Sequence, residues 1–202
     1  MRPRRYYSDA GQAFPIYITV VAGLLFLAFA YVAVGQAAVN RSGAQTAADA
    51  AALAAAQDTR DQLADEWLKD VLDPTKWQDI FKGNVAGLAD SCGRAGQLAG
   101  QNDAHVTSCG PPQSGILPGY LVAVETDKPV GDSIVPGTES TYSKTHATAV
   151  IESLCTFQLP GANAGGDVLP TLTCKNKNWE LDPLHLTDLP GPEDLFDVHL
   201  AD

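Results

Sequence analysis

The chain has 202 residues and a formal charge of −11, with 13 Lys and Arg against 24 Asp and Glu. That length holds one modest domain plus accessory segments. The acidic balance excludes a nucleic-acid binder, which needs a basic footprint to neutralise phosphates.

Residues 1–13 carry Arg2, Arg4 and Arg5, opposed only by Asp9. Residues 14–39 read FPIYITVVAGLLFLAFAYVAVGQAAV and contain no charged side chain over 26 positions. Crossing the hydrocarbon core of a bilayer takes about 20 apolar residues in a helix. A transmembrane helix is therefore expected over 14–39. Pro15 sits near its start, where proline is tolerated. Tyr17 and Tyr31 suit the interfacial zones. Positive flanks stay on the cytoplasmic side, so residues 1–13 are expected inside the cell membrane and everything after about Asn40 outside it. Of the charged residues, 10 of the 13 basic and 23 of the 24 acidic ones follow the span. A cleaved secretory signal is the competing reading, with Gly35-Gln36-Ala37 as a small-x-small site. Signal peptides have a shorter apolar core of about 7–15 residues, and the length favours the retained anchor.

No proline falls between Pro15 and Pro74, and Gly43 is the only glycine between Val39 and Pro74. One glycine costs a helix about 1 kcal/mol, while alanine is the best helix former. The helix is therefore expected to continue through 40–72 as an Ala-rich stalk, giving a total length of ~85 Å at 1.5 Å per residue. Gly43, Ala47, Ala51 and Ala55 recur every four residues, and so do Ala44, Ala48, Ala52 and Ala56. These adjacent rows share one side of a helix. Small residues in such a stripe let helix backbones approach closely. The expected role is association with another helix, of the same or a different chain. A plain high-propensity spacer is the bland alternative. Gln45, Asp49, Gln57 and Asp61, interrupted by Leu53, form the wet row. Further on, Leu63, Trp67 and Val71, with Leu68 and Leu72 beside them, make an amphipathic face for a folded head.

The head is expected over 73–181. Asp73-Pro74 stops the first helix, because a residue before proline avoids helical geometry. Trp77, Ile80, Phe81, Val85 and Leu88 then recur at helical spacing, which predicts a second helix over 75–99 folding back on the first. Gly83 and Gly87 weaken it. Strand signals follow at 120–125 (YLVAVE) and at 145–157 (THATAVIESLCTF), where Ala147, Ala149 and Ile151 share a face. Turn-rich Lys128-Pro129 and Val135-Pro136-Gly137 link them. Residues 168–174 and 179–181 flank Lys175-Asn176-Lys177-Asn178, a hairpin turn. The tail over 182–202, with Pro183, Pro190 and Pro192, is expected to lie extended on the surface. The fold class is α+β: a long N-terminal transmembrane and stalk helix carrying a small extracytoplasmic head of a second helix and a short antiparallel sheet.

Cys92, Cys109, Cys155 and Cys174 all follow the span. An even number outside the cytoplasm argues for two disulfides, with three pairings possible. Cys92–Cys109 and Cys155–Cys174 are favoured because each closes a loop between neighbouring elements. The spacings 17, 46 and 19 fit no zinc finger, and no CxxC pair exists. His105, His146, His185 and His199 are scattered, with none three or four residues from another. No GxSxG, Walker or HExxH motif is present. Asn40-Arg41-Ser42 matches a glycosylation sequon. Acidic pairs such as Asp65-Glu66 and Glu193-Asp194 read as solvated faces. No catalytic, cofactor or metal site is expected.

The block GQAFPIYITVVAGLLFLAFAYVAVGQAAVNRSGAQTAADAAALAAA resembles the N-terminal region of TadE/TadG-like proteins of the Tad (Flp) pilus system. Those proteins show a glycine-polar start, an apolar helix, a polar break and an AADAAALAAA signature, which stands here at 47–56. The resemblance covers about a quarter of the chain and implies a pilin-like, membrane-anchored, non-enzymatic component. It implies a minor pilin or assembly factor rather than the major pilin, which is much smaller. Its implied partners are other pilin-like or Tad apparatus subunits, including copies of itself. Gly11 is the candidate processing site. Prepilin peptidase substrates in related systems carry glutamate five positions after the glycine. Ile16 stands there instead, which argues against cleavage.

Overall fold

The computed structural model describes residues 13–112, 117–129, 140–159, 169–184, 186 and 188–201. The expectations for Gly11, the N-terminal arginines, the Val135-Pro136-Gly137 turn and His185 lie outside the described residues, as does the side chain of Ala37.

Helix α1 runs unbroken over Ala13–Lys69, 57 residues. Its two halves have different environments. The apolar stretch of its first half has a mean hydropathy of 2.4, and none of it is buried. From Ala44 onward the same helix is the centre of the head. Ala44, Ala47, Ala48, Ala51, Ala52, Ala55 and Ala56 are each at most 1 % exposed, and Leu63 and Trp67 continue the buried face. The segment expected to stand free as a stalk is thus the head's spine. The reason lies in size: an alanine surface buries little against water, but it lets a sheet and a helix close in on the α1 backbone and exclude solvent together.

Helix α2 covers Pro74–Phe81, with Pro74 in its first turn and Asp73 as N-cap. Helix α3 covers Cys92–Gln101. The single helix expected over 75–99 is therefore two helices. Gly83 and Gly87 sit at φ +72° and +89° between them, left-handed conformations that glycine adopts without a Cβ clash. At Gly83 a Cβ would also meet Pro118 at 2.9 Å.

The main sheet has the order β1-β2-β3-β7 and is antiparallel throughout. Its strands are β1 (Ala104–Gly110), β2 (Gly119–Thr126), β3 (Lys144–Ser153) and β7 (Phe196–Leu200). Val122 pairs with Ala147 and Tyr120 with Ala149, so β2 and β3 present Val122, Val124, Ala147, Ala149 and Ile151 on one face. That face joins the α1 alanines and Ala95 and Ala99 of α3 in one core. A second, small sheet holds β4 (Cys155–Thr156), β5 (Leu172–Cys174) and β6 (Lys177–Trp179). A two-residue loop joins β5 to β6, with Lys175 at φ +50°.

The tail differs from its expected extended course. After helix α4 (Pro192–Leu195), β7 adds to the edge of β3, and Leu195 and Phe196 are buried. At this end of the head, Trp67 meets Trp77 at 5.6 Å, and Phe157 and Phe81 connect Trp77 to Phe196 through ring contacts of 5.2 to 5.9 Å. Leu68 and Leu72, expected to share the buried face of α1, point outward instead, one position round from the Leu63–Trp67–Val71 row. The disulfides join Cys92 to Cys109 and Cys155 to Cys174. The first ties α3 to β1 and the second ties β4 to β5. Loops of 17 and 19 residues correspond to about 3 kcal/mol each by chain entropy.

Candidate functional site

The surfaces that bear on function lie along α1. Over its first half the helix exposes Ile16, Leu24, Leu25, Phe26, Leu27 and Phe29. A soluble helix this apolar would be buried. Full exposure of a run this long fits a lipid environment, where each backbone group is satisfied within the helix. Among the described residues, this is the one helix long and apolar enough to cross a membrane.

The alanine rows lie directly beyond. Their neighbours are β2, β3 and α3 of the same chain. Of the expected neighbours, a helix of the same or of a different chain, this structure shows the chain's own: α3, with β2 and β3 beside it, covers the rows. Small rows specify a close approach, and a sheet of Ala147 and Ala149 satisfies it as well as a second helix would. Gly43 departs from its row. It is exposed, and a Cβ there would meet nothing within 4 Å. The wet row behaves as expected for Gln45, Gln57 and Asp61, which face solvent.

A polar seam fastens α1 to the segment before α3. Ser91 is 1 % exposed and its hydroxyl donates to Asp58 Oδ2 at 2.8 Å. That donation fixes the order of the remaining hydroxyls. Thr59 donates to Ser91 at 2.7 Å, and Tyr120 donates to Thr59 at 3.0 Å. Gln62 completes the seam, donating to Ser91 at 3.2 Å and accepting from the Ala89 amide at 2.6 Å. Every buried hydroxyl therefore has a partner, the condition for a polar cluster to hold a core together. No sequence signal marks it: Thr59, Gln62 and Ser91 stand in no motif and come together only in space. The cluster lacks a histidine or lysine to serve as base. Its mutual hydrogen bonds fit a structural clasp.

A shallow groove beside the seam is lined by Gln57, Arg60, Asp61, Asp90 and Arg94. Arg60 pairs there with Asp61 at 2.7 Å, and Arg94 donates to the Gln97 side-chain oxygen at 2.7 Å. The described histidines stay apart. His105 lies 2.7 Å from Asp127 and His199 3.1 Å from Asp197, both on the surface. Among the described residues no cluster of His, Cys, Asp or Glu could hold a metal ion. The sequon's Asn40 accepts a hydrogen bond from the Ser143 hydroxyl at 2.9 Å.

Comparison with known proteins places a family on this same stretch. Residues 11–58 match the family described as "Putative Flp pilus-assembly TadE/G-like". The match takes in the exposed span and the alanine rows and ends at Asp58, where the polar seam begins. No curated protein and no solved structure matches the chain.

Proposed function

We propose that the chain is a membrane-anchored, non-enzymatic subunit of a Tad-type pilus assembly apparatus, in the role of a minor pilin or assembly factor. The observation that carries this reading is a coincidence. The family match at 11–58 falls on the exposed apolar half of α1 and on the alanine rows that join it to the head. The N-terminus lies on the cytoplasmic side and the head outside. Arg2, Arg4 and Arg5 precede the span, while all four cysteines follow it and are paired. A structural role agrees with the chemistry of the head, whose buried polar groups form the closed clasp around Ser91.

Contacts with other subunits fall to the first half of α1, since the alanine rows are occupied. Gly23 and Gly35 leave open space along that half, which suits close helix approach in the membrane. Deleting the gene from its host and counting surface pili tests the reading. Pili are expected to disappear and to return when the full chain is supplied. Unchanged pilus number on deletion would refute the role.

A further inference from the structure

The head has a definite orientation on α1. Asn40 and Gln45, at the start of its extracytoplasmic part, bond Ser143 at 2.9 Å and Thr145 at 2.7 Å. These residues flank the first position of β3, Lys144. Antiparallel pairing brings the end of β2 and the start of β1 to the same place, with Glu125 opposite Lys144 and Ala104 opposite Thr126. Strand β3 then runs ~33 Å away over ten residues, at about 3.3 Å each. The β5–β6 hairpin follows at the far end, next to β4.

The distance between the span and this end of the sheet is short. The uncharged run over 14–39 measures ~39 Å as a helix, against a hydrocarbon core of about 30 Å and a headgroup layer of about 5–7 Å on each side. Asn40 therefore emerges between ~0 and ~9 Å from the hydrocarbon edge, at headgroup depth. The first buried residue of the head, Ala44, lies only one helical turn later. No stalk separates head from bilayer.

The chemistry of the near end suits that position. Lys128 pairs with Asp103 at 2.9 Å, Lys144 with Glu125 at 3.2 Å and His105 with Asp127 at 2.7 Å. Arg41, next to Asn40 in the chain, is exposed. Tyr142 is 43 % exposed next to Ser143. Alternating charges of both signs with a tyrosine match a zwitterionic headgroup layer. Other exposed acids stand farther off, Asp65 along α1 and Glu180 and Glu193 at the far end.

We propose that the sheet end carrying Asp103, Asp127, Lys128, Tyr142 and Lys144 rests on the lipid headgroups of the leaflet from which α1 emerges. This rests on the reading of α1 as a membrane span, and the experiment separates the two. The full chain is prepared with the photoreactive p-benzoylphenylalanine in place of Tyr142, of Phe26 or of Asn176. Each variant is placed in phosphatidylcholine nanodiscs and irradiated, and lipid adducts are read by mass spectrometry. Intact disulfides on a non-reducing gel certify the fold of each variant. Adducts are expected at 26 in the span and at 142, with none at 176 in the distal hairpin. Adduct at 26 without adduct at 142 overturns the seated head but leaves the anchor standing. No adduct at 26 overturns both. Adducts at all three positions show unoriented lipid contact and likewise overturn the seat.

Discussion

At the scale of single residues, one row of α1 contains its own control. Gly43 and Ala51 are eight residues apart on the same row, yet Gly43 is open and Ala51 is fully buried. Ala51→Leu must force three extra carbons between α1 and its covering, and overpacking of this kind costs about 1–3 kcal/mol. Gly43→Ala adds a methyl into open space within a helix, a change worth up to about 1 kcal/mol in its favour. Thermal unfolding of the full chain in detergent should show Ala51→Leu melting lower than the wild type and Gly43→Ala no lower. Equal melting of the two variants would mean that the rows are not packed. Ser91 offers an independent check. Removing its hydroxyl leaves Thr59, Asp58 and Gln62 short of a partner, so Ser91→Ala should lose about 1–3 kcal/mol in a denaturant titration. A change within error would show that water replaces the serine freely and that the clasp contributes little.

At the scale of elements, the two ends of α2 and β7 carry testable weight. Asp73 caps α2, and the hydroxyl of Thr75, its strongest partner, holds the Asp73 carboxyl below its ordinary value of 3.8, with the Thr75 amide and Lys76 adding to the effect. A depressed folded pKa means stability that is present above the unfolded value and lost as pH falls through the folded one. Asp73→Ala should therefore lower the melting temperature at neutral pH, and the gap to wild type should close once the pH is below that folded value. A gap that stays constant with pH would rule out the charged cap. Phe196 opens β7 and packs on Phe81 at 5.7 Å. Phe196→Ala should cost about 3–5 kcal/mol, as expected for a buried aromatic, and should be visible in the same titration. Little or no loss would mean that β7 does not belong to the core. β7 was also illegible in the sequence. FDVHL is short, follows Pro190 and Pro192, and gains its strand identity only from pairing with β3. β1 was hidden for a related reason: AHVTSCG is an edge strand with three exposed polar side chains and a bulge between Val106 and Ser108. By contrast, the central strands were readable because each buries alternate residues against α1, and the stop at Asp73-Pro74 was readable from proline chemistry alone.

At the scale of the whole molecule, α1 unites what the sequence divided into a span, a stalk and a head. Its periodicity showed which face is packed. Periodicity cannot say what packs there, because a sheet of small residues and a neighbouring helix place the same demand on Ala47, Ala51 and Ala55. The family match covers this helix as far as Asp58, while the sheet packed on it comes from the remaining part of the chain. In this structure the alanine signature is the socket for the chain's own head, and the role proposed above leaves the exposed half of α1 for partners. Isotope-filtered NMR on a mixture of labelled and unlabelled full-length chains in micelles tests this most directly. The account predicts contacts from the methyls of Ala48, Ala51, Ala52 and Ala55 to valines and alanines of β2 and β3 within one labelled chain, and none from labelled to unlabelled chains. Contacts of those methyls that arise only between chains would contradict it.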